Sequence, residues 1–481
     1  MQGWPYFTLA LVIINALLAA TILFYERKKV ASAWAWILIL FFLPVIGFVL
    51  YIFIGKPITK KDAKQQTAYK NPAFEGLAKQ QLQDMENGDF RLDSPIDGRF
   101  WNVVRMHLAT GDSPLTRDNE VIAYTDGKMK FEALFCDIEA AKDHINLQYY
   151  IIRDDGIGEQ LIQLLARKAQ QGISIHFLYD DIGSLLLPAS YFQEFLLAGG
   201  KAKPSIASKM PINLRLNYRN HRKIAVIDGE IGYIGGFNVG DEYLGYDGKL
   251  GYWRDTHLRI TGGAVASMQH KFLIDWNAAS PHHPLEYDER FFPIIKGTGK
   301  AAVQIVESGP DSGLSQIRDG MLKLISRAER TIDIQTPYFI PDVAIMAALE
   351  VASMGGVQVR LMIPSKADHF FVHDASLSFA GSLLASGVRV FAYKNGFLHA
   401  KMLLVDEMAF TVGSANMDER SFSLNFEANA FVYDKDMALE MLWIFERDIR
   451  LAEELSAEFF AALPLADRIK QRIAKLVAPI L

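Results

Sequence analysis

The stretch His221-Arg222-Lys223-Ile224-Ala225-Val226-Ile227-Asp228 is followed by Gly235-Gly236-Phe237-Asn238. The same spacing returns in His399-Ala400-Lys401-Met402-Leu403-Leu404-Val405-Asp406, which is followed by Gly413-Ser414-Ala415-Asn416. One such short pattern arises readily by chance in a long chain, whereas two complete copies do not. The two copies therefore predict a duplicated unit and a functional site that draws on both halves of the chain.

The spacing within each copy predicts a buried strand, a tight turn and a strand that returns beside the first. The residues after each motif lysine are mostly apolar, and Asp228 is followed by a glycine at the first turn. Side chains at positions i and i+2 of a strand share a face, so His221 should project with Lys223. By the same rule, His399 should project with Lys401 in the second copy.

The segments around the motifs recur in one order, which indicates a duplicated α/β unit. Strand-like and helix-like runs alternate at 145–152, 158–171 and 173–179, and again at 332–340, 344–354 and 357–363. The predicted fold class is therefore α/β, with two duplicated α/β/α units that face each other. Two units that face each other form one site at their interface.

The first 55 residues differ from the rest because they contain two long runs that are almost wholly apolar. Residues 6–25 and 31–54 each approach the ~20 residues that a helix needs to cross a bilayer. The sequence thus predicts a two-helix transmembrane hairpin at 1–55 and a polar linker with helical pieces at 56–110. A first domain is predicted at 111–295 and a second at 296–481.

Orientation in the membrane depends on a small difference in basic residues. Three of them lie between the spans at 27–29, and four follow the second span, namely Lys56, Lys60, Lys61 and Lys64. The positive-inside rule therefore narrowly favours a multi-pass membrane protein with cytoplasmic catalytic domains. The later lysines are also suited to binding anionic headgroups, although a solvated linker explains them equally well.

Composition excludes several classes of protein. The net charge of −5 lacks the basic character of a general nucleic-acid binder, so no nucleic-acid partner is expected. The single cysteine, Cys136, rules out an intrachain disulfide and a cysteine-based zinc site. Its apolar neighbours predict a buried position on a helix.

The motif residues suit the cleavage of a phosphodiester bond. That reaction needs a nucleophile, a proton donor for the leaving alkoxide, and positive charge beside the non-bridging oxygens. His221 and His399 are suited to the first two roles, and Lys223 and Lys401 to the third. No metal or other cofactor is expected, because a lysine beside each histidine would repel a cation.

Other motif residues are supporting candidates. Asn238, Asn416 and Ser414 can hydrogen-bond to a phosphate or to its neighbours. Asp228 and Asp406 are counted with the catalytic residues because they complete the motif. Strand geometry nevertheless places both in turns away from the histidine face, which favours a structural role.

Two further carboxylates follow the motifs. Asp255 lies 34 residues after His221, and Glu427 lies 28 after His399. A catalytic histidine needs a partner on its second ring nitrogen, which fixes the tautomer and stabilises the imidazolium. Asp255 and Glu427 are the candidates for that role, and a surface salt bridge is the alternative.

These residues resemble the paired histidine-lysine-aspartate motifs of the phospholipase D superfamily. The apolar spans, the run 335–341 and the run 413–421 further resemble bacterial cardiolipin synthases. Gly236 departs from the pattern, because many such motifs carry a serine there, and a side-chain hydrogen bond is impossible at this position.

The resemblance implies phosphatidyl transfer between two molecules of phosphatidylglycerol. A covalent phosphohistidine is expected on the first-motif histidine, His221, with His399 as acid and base. The residues themselves are symmetric and leave this assignment open. They also leave open the use of other membrane phospholipids and whether the protein forms a homodimer.

Three other functions compete with this interpretation. A membrane-bound phospholipase D hydrolase would share every catalytic residue and differ in how well the site excludes water. A nuclease is disfavoured by the acidic composition and the apolar spans. A non-catalytic scaffold is disfavoured because both motifs keep their histidine and lysine.

Overall fold

The structure, a computed structural model, describes residues 9, 12–20, 30–51, 69, 71–90, 95–111, 113–205, 218–294, 297 and 299–477. The predicted spans at 6–25 and 31–54 lie partly outside these residues. Residues 12–20 are helical. The other α-helices are α1 (Val30–Phe42), α2 (Pro44–Leu50), α3 (Pro72–Asn87), α4 (Pro95–Gly111), α5 (Gly127–Ala140), α6 (Gly156–Gln170), α7 (Gln193–Leu197), α8 (Ala264–Ala279), α9 (Gln316–Ile325), α10 (Val343–Met354), α11 (Phe370–Leu383), α12 (Glu419–Ser423), α13 (Lys435–Ile449), α14 (Ala457–Ala462) and α15 (Leu465–Val477).

The strands fall into two series of similar order. They are β1 (Thr116–Tyr124), β2 (His144–Tyr149), β3 (Ser174–Tyr179), β4 (Lys201–Pro204), β5 (Arg219–Asn220), β6 (Ile224–Ile227), β7 (Ile231–Gly235), β8 (Trp253–Arg254), β9 (His257–Thr261), β10 (Ala301–Ser308), β11 (Thr331–Gln335), β12 (Phe339–Ile340), β13 (Gln358–Pro364), β14 (Arg389–Tyr393), β15 (Phe397–Leu398), β16 (Met402–Val405), β17 (Ala409–Gly413), β18 (Met417–Asp418), β19 (Asn425–Tyr433) and β20 (Ala452–Leu455).

One mixed sheet runs through both halves of the chain. The order β1-β9-β7-β6-β2-β3-β4 in the first half matches β10-β19-β17-β16-β11-β13-β14 in the second. The antiparallel pair β1 and β10 joins the halves at the centre of the sheet. This arrangement confirms the predicted α/β duplication. The domain limits at 111–295 and 296–481 stay a prediction.

Each motif lies on an antiparallel hairpin beside parallel strands. In the first half, β6 pairs with both β7 and β2, while β2 and β3 run parallel. The second half repeats this with β16, β17, β11 and β13. The motif strands are buried throughout. Their nearly continuous apolar sequence is typical of strands that are covered on both faces of a sheet. The sheet therefore fixes both motifs rigidly.

Helices cover the sheet because one stripe of each is apolar. α6 is an example, since Leu161 and Leu165 lie on its fully buried face. Its first turn is capped by the carboxylate of Asp155, which accepts a hydrogen bond from the amide of Gly158 at 3.1 Å. Arg167 and Lys168 in the last turn complement the helix dipole.

The region expected to be a linker at 56–110 contains α3 and α4. The apolar face of α4 enters the core of the second half, where Phe100 and Val103 are completely buried. α4 packs against α9 and β10. The helical pieces were expected, but the contribution of α4 to the core was not, because polar residues surround its apolar positions in the sequence.

Predictions were also made for membrane-spanning helices and for Cys136. Within the described residues, no helix is both long enough and apolar enough to cross a membrane. Cys136 is exposed on α5, so the prediction that it is buried is wrong. Leu134 and Ile138 take the inward positions of that helix instead.

Replacing Phe100 with alanine should lower the free energy of unfolding by about 3–5 kcal/mol, because it opens a cavity in the core. Arg105 on the exposed side of the same helix pairs with Glu86 at 2.8 Å. The Arg105→Ala control should therefore cost less than about 1 kcal/mol. Denaturant unfolding followed by tryptophan fluorescence measures both. Equal losses would show that α4 is not part of the core.

Candidate active site

Two short strands cross between the halves and bring the motif histidines together. β5 leads into the first motif and pairs with the start of β19 in the second half. β15 leads into the second motif and pairs with β8 in the first half. The amide of His221 donates to the carbonyl of Phe426 at 2.9 Å, and that of His399 to the carbonyl of Arg254 at 2.7 Å. Each motif is thus held by the opposite half.

Each motif histidine also contacts a carboxylate from the opposite half. His221 Nδ1 lies 2.9 Å from Glu427 Oε2 and 3.0 Å from Oε1. His399 Nδ1 lies 2.6 Å from Asp255 Oδ2. The structure therefore places both predicted carboxylates at the histidines, in a crossed arrangement. With Nδ1 engaged, Nε2 is the ring nitrogen left for a substrate.

The electrostatics favour neutral imidazoles beside ionised carboxylates. Burial lowers the pKa of His221 and of His399 to about 4, although the partner carboxylates oppose that shift. Burial would raise the pKa of Glu427, but His221 and Lys223 hold it below its ordinary value. Burial likewise would raise the pKa of Asp255, which Lys401 and His399 lower instead. A neutral imidazole is the form that a histidine nucleophile requires.

The motif lysines lie beneath the histidines. Lys223 Nζ donates to the carbonyl oxygen of His221 at 2.6 Å. Lys401 Nζ donates to the carbonyl of His399 and lies 2.7 Å from its Nδ1. Burial lowers the pKa of Lys401 to about 8 and that of Lys223 well below its ordinary value. Both amino groups therefore lie directly beneath the histidines, in surroundings that disfavour their charged form.

The two motif asparagines line the same cleft but differ in their contacts. Asn238 Oδ1 accepts from the amide of Ile151, and its Nδ2 donates to the Tyr243 hydroxyl, each at 3.1 Å. Asn416 Oδ1 is buried without a hydrogen-bond partner. A buried acceptor of this kind is costly unless something satisfies it. A substrate hydroxyl at Asn416 would do so.

The halves also differ where the first motif has glycine and the second has serine. Ser414 Oγ donates to Glu427, which fixes the carboxylate that holds His221. A Cβ on Gly236 would lie 1.9 Å from Asp255 Oδ1. The shorter aspartate therefore occupies the space that a serine side chain would need. Gly236 is thus paired with Asp255, as Ser414 is with Glu427.

Asp228 and Asp406 lie at turns and do not line the cleft, as strand geometry predicted, and a catalytic role for them stays a prediction. The Asp228 carboxylate accepts three successive backbone amides, from residues 142–144, at 2.8, 2.8 and 2.9 Å. Asp406 accepts those of residues 329–331 at 2.8, 2.7 and 2.7 Å. Both residues have φ of 53° at the turn. They fasten each motif turn to the start of a neighbouring strand.

A cleft of about 660 Å³ opens over the two histidines and is lined by residues of both halves. Most of the residues that line this cleft were not predicted from the sequence. The Tyr150 ring lies 4.8 Å from that of His221, and the Trp253 ring 5.0 Å from that of His399. Arg219 shares a strand face with His221, since it lies two residues earlier. That periodicity was a usable signal for Arg219, whereas Tyr150 lies on a loop.

Buried ion pairs support the strands behind the site. Arg254, next to Asp255, pairs with Asp448 of α13 at 2.8 Å. Arg222, next to His221, pairs with Asp275 of α8 at 2.5 Å. Removing one partner of such a pair leaves an uncompensated buried charge. These pairs therefore fix the positions of the residues on either side of them.

Comparison with known proteins gives a consistent result. The family model described as "Cardiolipin synthase, PLD-like domain" matches residues 134–255 and 321–449, and "Phospholipase_D-nuclease N-terminal" matches 13–56. The major cardiolipin synthase ClsA of Bacillus subtilis (strain 168) is 46% identical over 470 residues, 98% of each chain. A cardiolipin synthase of Listeria monocytogenes serotype 4b (strain F2365) is 44% identical over 477 residues, 99% of each chain.

A solved structure shares the fold. The phosphatidylserine synthase of Haemophilus influenzae Rd KW20 aligns with a TM-score of 0.60 at 15% identity, covering 79% of this chain and all of that one. Identity this low shows the fold alone. The likeness extends over both halves of the duplicated unit.

Replacing Glu427 with glutamine or Asp255 with asparagine should each lower kcat roughly a thousandfold, because the histidine loses the partner that sets its tautomer. KM should change little. Asp247→Asn is the matched control, because this cleft carboxylate accepts backbone amides and not a histidine. Steady-state kinetics on lipid vesicles measures all three. A Glu427→Gln enzyme as active as the control would contradict the assignment.

Stability should fall as pH drops from about 6.5 toward 4. Burial lowers the pKa of His107, His221 and His399 to about 4 and that of His176 to about 3. In this window the unfolded chain binds more protons than the native one, so each histidine contributes up to about 1.4 kcal/mol per pH unit.

Measuring the free energy of unfolding as a function of pH tests whether stability falls toward low pH. Denaturant unfolding at several pH values should give a shallower slope when His221 and His399 are both replaced by asparagine, which keeps a donor for each carboxylate. The slope should be reduced but not abolished, since burial also lowers the pKa of other histidines, namely His107, His144, His176, His257 and His373. A double variant with the wild-type slope would show that the two site histidines do not carry the effect.

Proposed function

Because the chain belongs to the cardiolipin synthase family of phospholipase D-like proteins, we propose that it makes cardiolipin and glycerol from two molecules of phosphatidylglycerol. The observation that carries this proposal is the crossed site, in which two buried histidines face one cleft. Each is held by a carboxylate of the other half. One cleft thereby offers a nucleophile and an acid on opposite halves of the chain.

In the first step His221 is the nucleophile. Its Nε2 forms a bond to phosphorus while the bond from phosphorus to the headgroup glycerol oxygen breaks. His399 enters the step protonated, because the bound phosphate anion and Asp255 favour its charged form. It supplies its Nε2 proton to that oxygen, and glycerol leaves. Glu427 stabilises the positive imidazole ring of His221 as it becomes covalently modified. The product of this half-reaction is a phosphatidyl-histidine.

In the second step the acceptor is a second phosphatidylglycerol. Its headgroup hydroxyl forms a bond to phosphorus as the nitrogen–phosphorus bond breaks. His399 takes the hydroxyl proton and so returns to the state it had before the cycle. Asp255 stabilises the protonated His399. Cardiolipin leaves, and the enzyme is restored.

The negative charge of a bound phosphate favours the charged form of the two motif lysines, which burial alone disfavours. Lys223 and Lys401 lie beneath the histidines, in a region of low dielectric where a fixed charge acts strongly. Asn416 has an acceptor available for a headgroup hydroxyl. These side chains lower the energy of the transition state without having to reorganise.

The alternative function is that of a membrane-bound hydrolase with the same first step. Water would then attack the phosphatidyl-histidine, and phosphatidic acid would be the product. The two functions differ only in the second acceptor. The near-complete match to relatives named as synthases favours transfer to a lipid.

We further propose that the N-terminal region anchors the enzyme in the bacterial inner membrane as a two-helix hairpin, with cytoplasmic catalytic domains. The matching N-terminal family model spans 13–56. Large apolar side chains are exposed in the helical parts, including Leu17 at 64%, Phe41 at 75% and Phe42 at 71%. Side chains of this kind need an apolar medium around them.

Single cysteines test the hairpin in a Cys136→Ser background. A cysteine at 27–29, between the two apolar runs, should react with a membrane-impermeant thiol reagent from the periplasmic side of intact cells. A cysteine at exposed Lys470, in the catalytic part, should react only after lysis. The reverse pattern would overturn the orientation, and release of the protein by alkaline carbonate would overturn the anchor.

Phosphatidylglycerol vesicles supplied to the purified wild-type enzyme should yield cardiolipin and glycerol in equal amounts. His221→Ala and His399→Ala should each reduce the rate at least about a thousandfold, because each removes one of the two reacting groups. Mass spectrometry of the lipid products measures this. His283→Ala, at an exposed histidine, is the matched control and should keep the wild-type rate. Phosphatidic acid as the main product would establish the hydrolase instead.

A further inference from the structure

The cleft is built from two equivalent halves, yet equivalent positions at its two ends carry different side chains. Arg219 lies two residues before His221, and the equivalent position before His399 is Phe397. Arg420 lies four residues after Asn416, and the equivalent position after Asn238 is Glu242. One end of the cleft therefore has two arginines at positions where the other has an aromatic ring and a carboxylate. The duplicated scaffold does not require this difference.

Both arginines are held in the wall of the cleft near His221. Arg219 donates from Nη1 to the carbonyl of Tyr218 at 2.9 Å and also hydrogen-bonds to the Tyr150 hydroxyl. Tyr150 connects the group, since its ring packs against His221 and the charges of Arg219 and Arg420 both act on its hydroxyl. The two guanidinium groups repel each other, and burial together with Arg219 lowers the pKa of Arg420.

Two carboxylates near Arg219 and Arg420 accept hydrogen bonds from backbone amides. Asp180 accepts the amides of Ile182, Gly183 and Asn220 at 3.0, 2.9 and 2.8 Å. Asp418 caps α12 by accepting the amide of Ser421 at 2.7 Å. Each carboxylate also acts electrostatically on one arginine, Asp180 on Arg219 and Asp418 on Arg420. Two adjacent guanidinium groups in a partly dry cleft are the arrangement that best receives a phosphate, through paired N–H donors.

The proposed reaction needs such a site. In the second step two phosphodiesters occupy one cleft, the first on His221 and the second only a glycerol away. Their charges repel each other strongly in a medium of low dielectric. Lys223 and Lys401 lie at the first phosphate, so the second requires cations of its own. A hydrolase, whose acceptor is water, has no such requirement.

We infer that Arg219 and Arg420 bind the phosphate of the acceptor phosphatidylglycerol and thereby select an anionic lipid over water or a neutral alcohol as acceptor. This inference rests on the proposed function and adds the specificity of its second step. Arg153, a third arginine of the cleft, lies 3.6 Å from Glu242 and belongs to the opposite end. It supplies a matched comparison.

Two acceptors can be offered to one phosphatidyl-enzyme to test this. Phosphatidylglycerol vesicles are mixed with isotopically labelled glycerol, and cardiolipin and labelled phosphatidylglycerol are measured together by mass spectrometry. Both products arise from the same donor and the same intermediate. The ratio of cardiolipin to labelled phosphatidylglycerol therefore reports acceptor choice and is insensitive to partial loss of fold or of donor binding.

Arg219→Gln and Arg420→Gln should each lower this ratio about tenfold or more, the factor expected from losing a charge-assisted hydrogen bond. The ratio for Arg219→Lys and Arg420→Lys should lie between the wild-type value and that of the glutamine variants, because lysine keeps the charge but loses the paired donors. Arg153→Gln should keep the wild-type ratio.

A ratio that stays at the wild-type value in both glutamine variants, whether the two rates fall together or not at all, would overturn the inference. In that case cardiolipin production by the wild type still supports the proposed function. A wild-type enzyme that exchanges glycerol but makes no cardiolipin would overturn the proposed function and the acceptor subsite with it.

Discussion

The contact on which the site depends is the crossed pair of histidine and carboxylate. Glu427 of the second half holds His221 of the first, and Asp255 of the first half holds His399 of the second. Neither half alone has a histidine with its partner. The sheet that joins the halves through β1 and β10 is therefore part of the chemistry, because it sets the distance between each ring and its carboxylate. β5 and β15 each pair with a strand of the opposite half, and this pairing brings each histidine to its carboxylate.

The scaffold is symmetric, but the site is not. Ser414 and Glu427 lie behind His221, whereas Gly236 and Asp255 occupy the equivalent positions behind His399. Each combination fills the same space. Arginines at one end of the cleft are answered by an aromatic ring and a carboxylate at the other. Such differences allow two equivalent histidines to take unequal roles. A duplicated ancestor with identical halves would bind both of its ligands equally at either end.

The sequence predicted the parts of this protein that follow from periodicity. The α/β duplication, the pairing of His221 with Lys223 and the turn position of Asp228 all follow from strand geometry. Asp255 and Glu427 were found because a catalytic histidine needs a partner. Which carboxylate meets which histidine was beyond the sequence, since the crossing depends on how two short strands pair across an interface. Cys136 and α4 were misread because the burial of a helix face depends on what packs against it.

The central claim is that the first half supplies the nucleophile and the second supplies the acid. Rapid quenching of the enzyme with phosphatidylglycerol, followed by digestion and tandem mass spectrometry, tests this claim most directly. The account predicts a phosphatidyl adduct on the peptide that contains His221, and its absence from the His221→Ala variant. An adduct on His399 would reverse the roles of the halves. The complete absence of an adduct, under conditions where cardiolipin forms, would contradict the covalent mechanism.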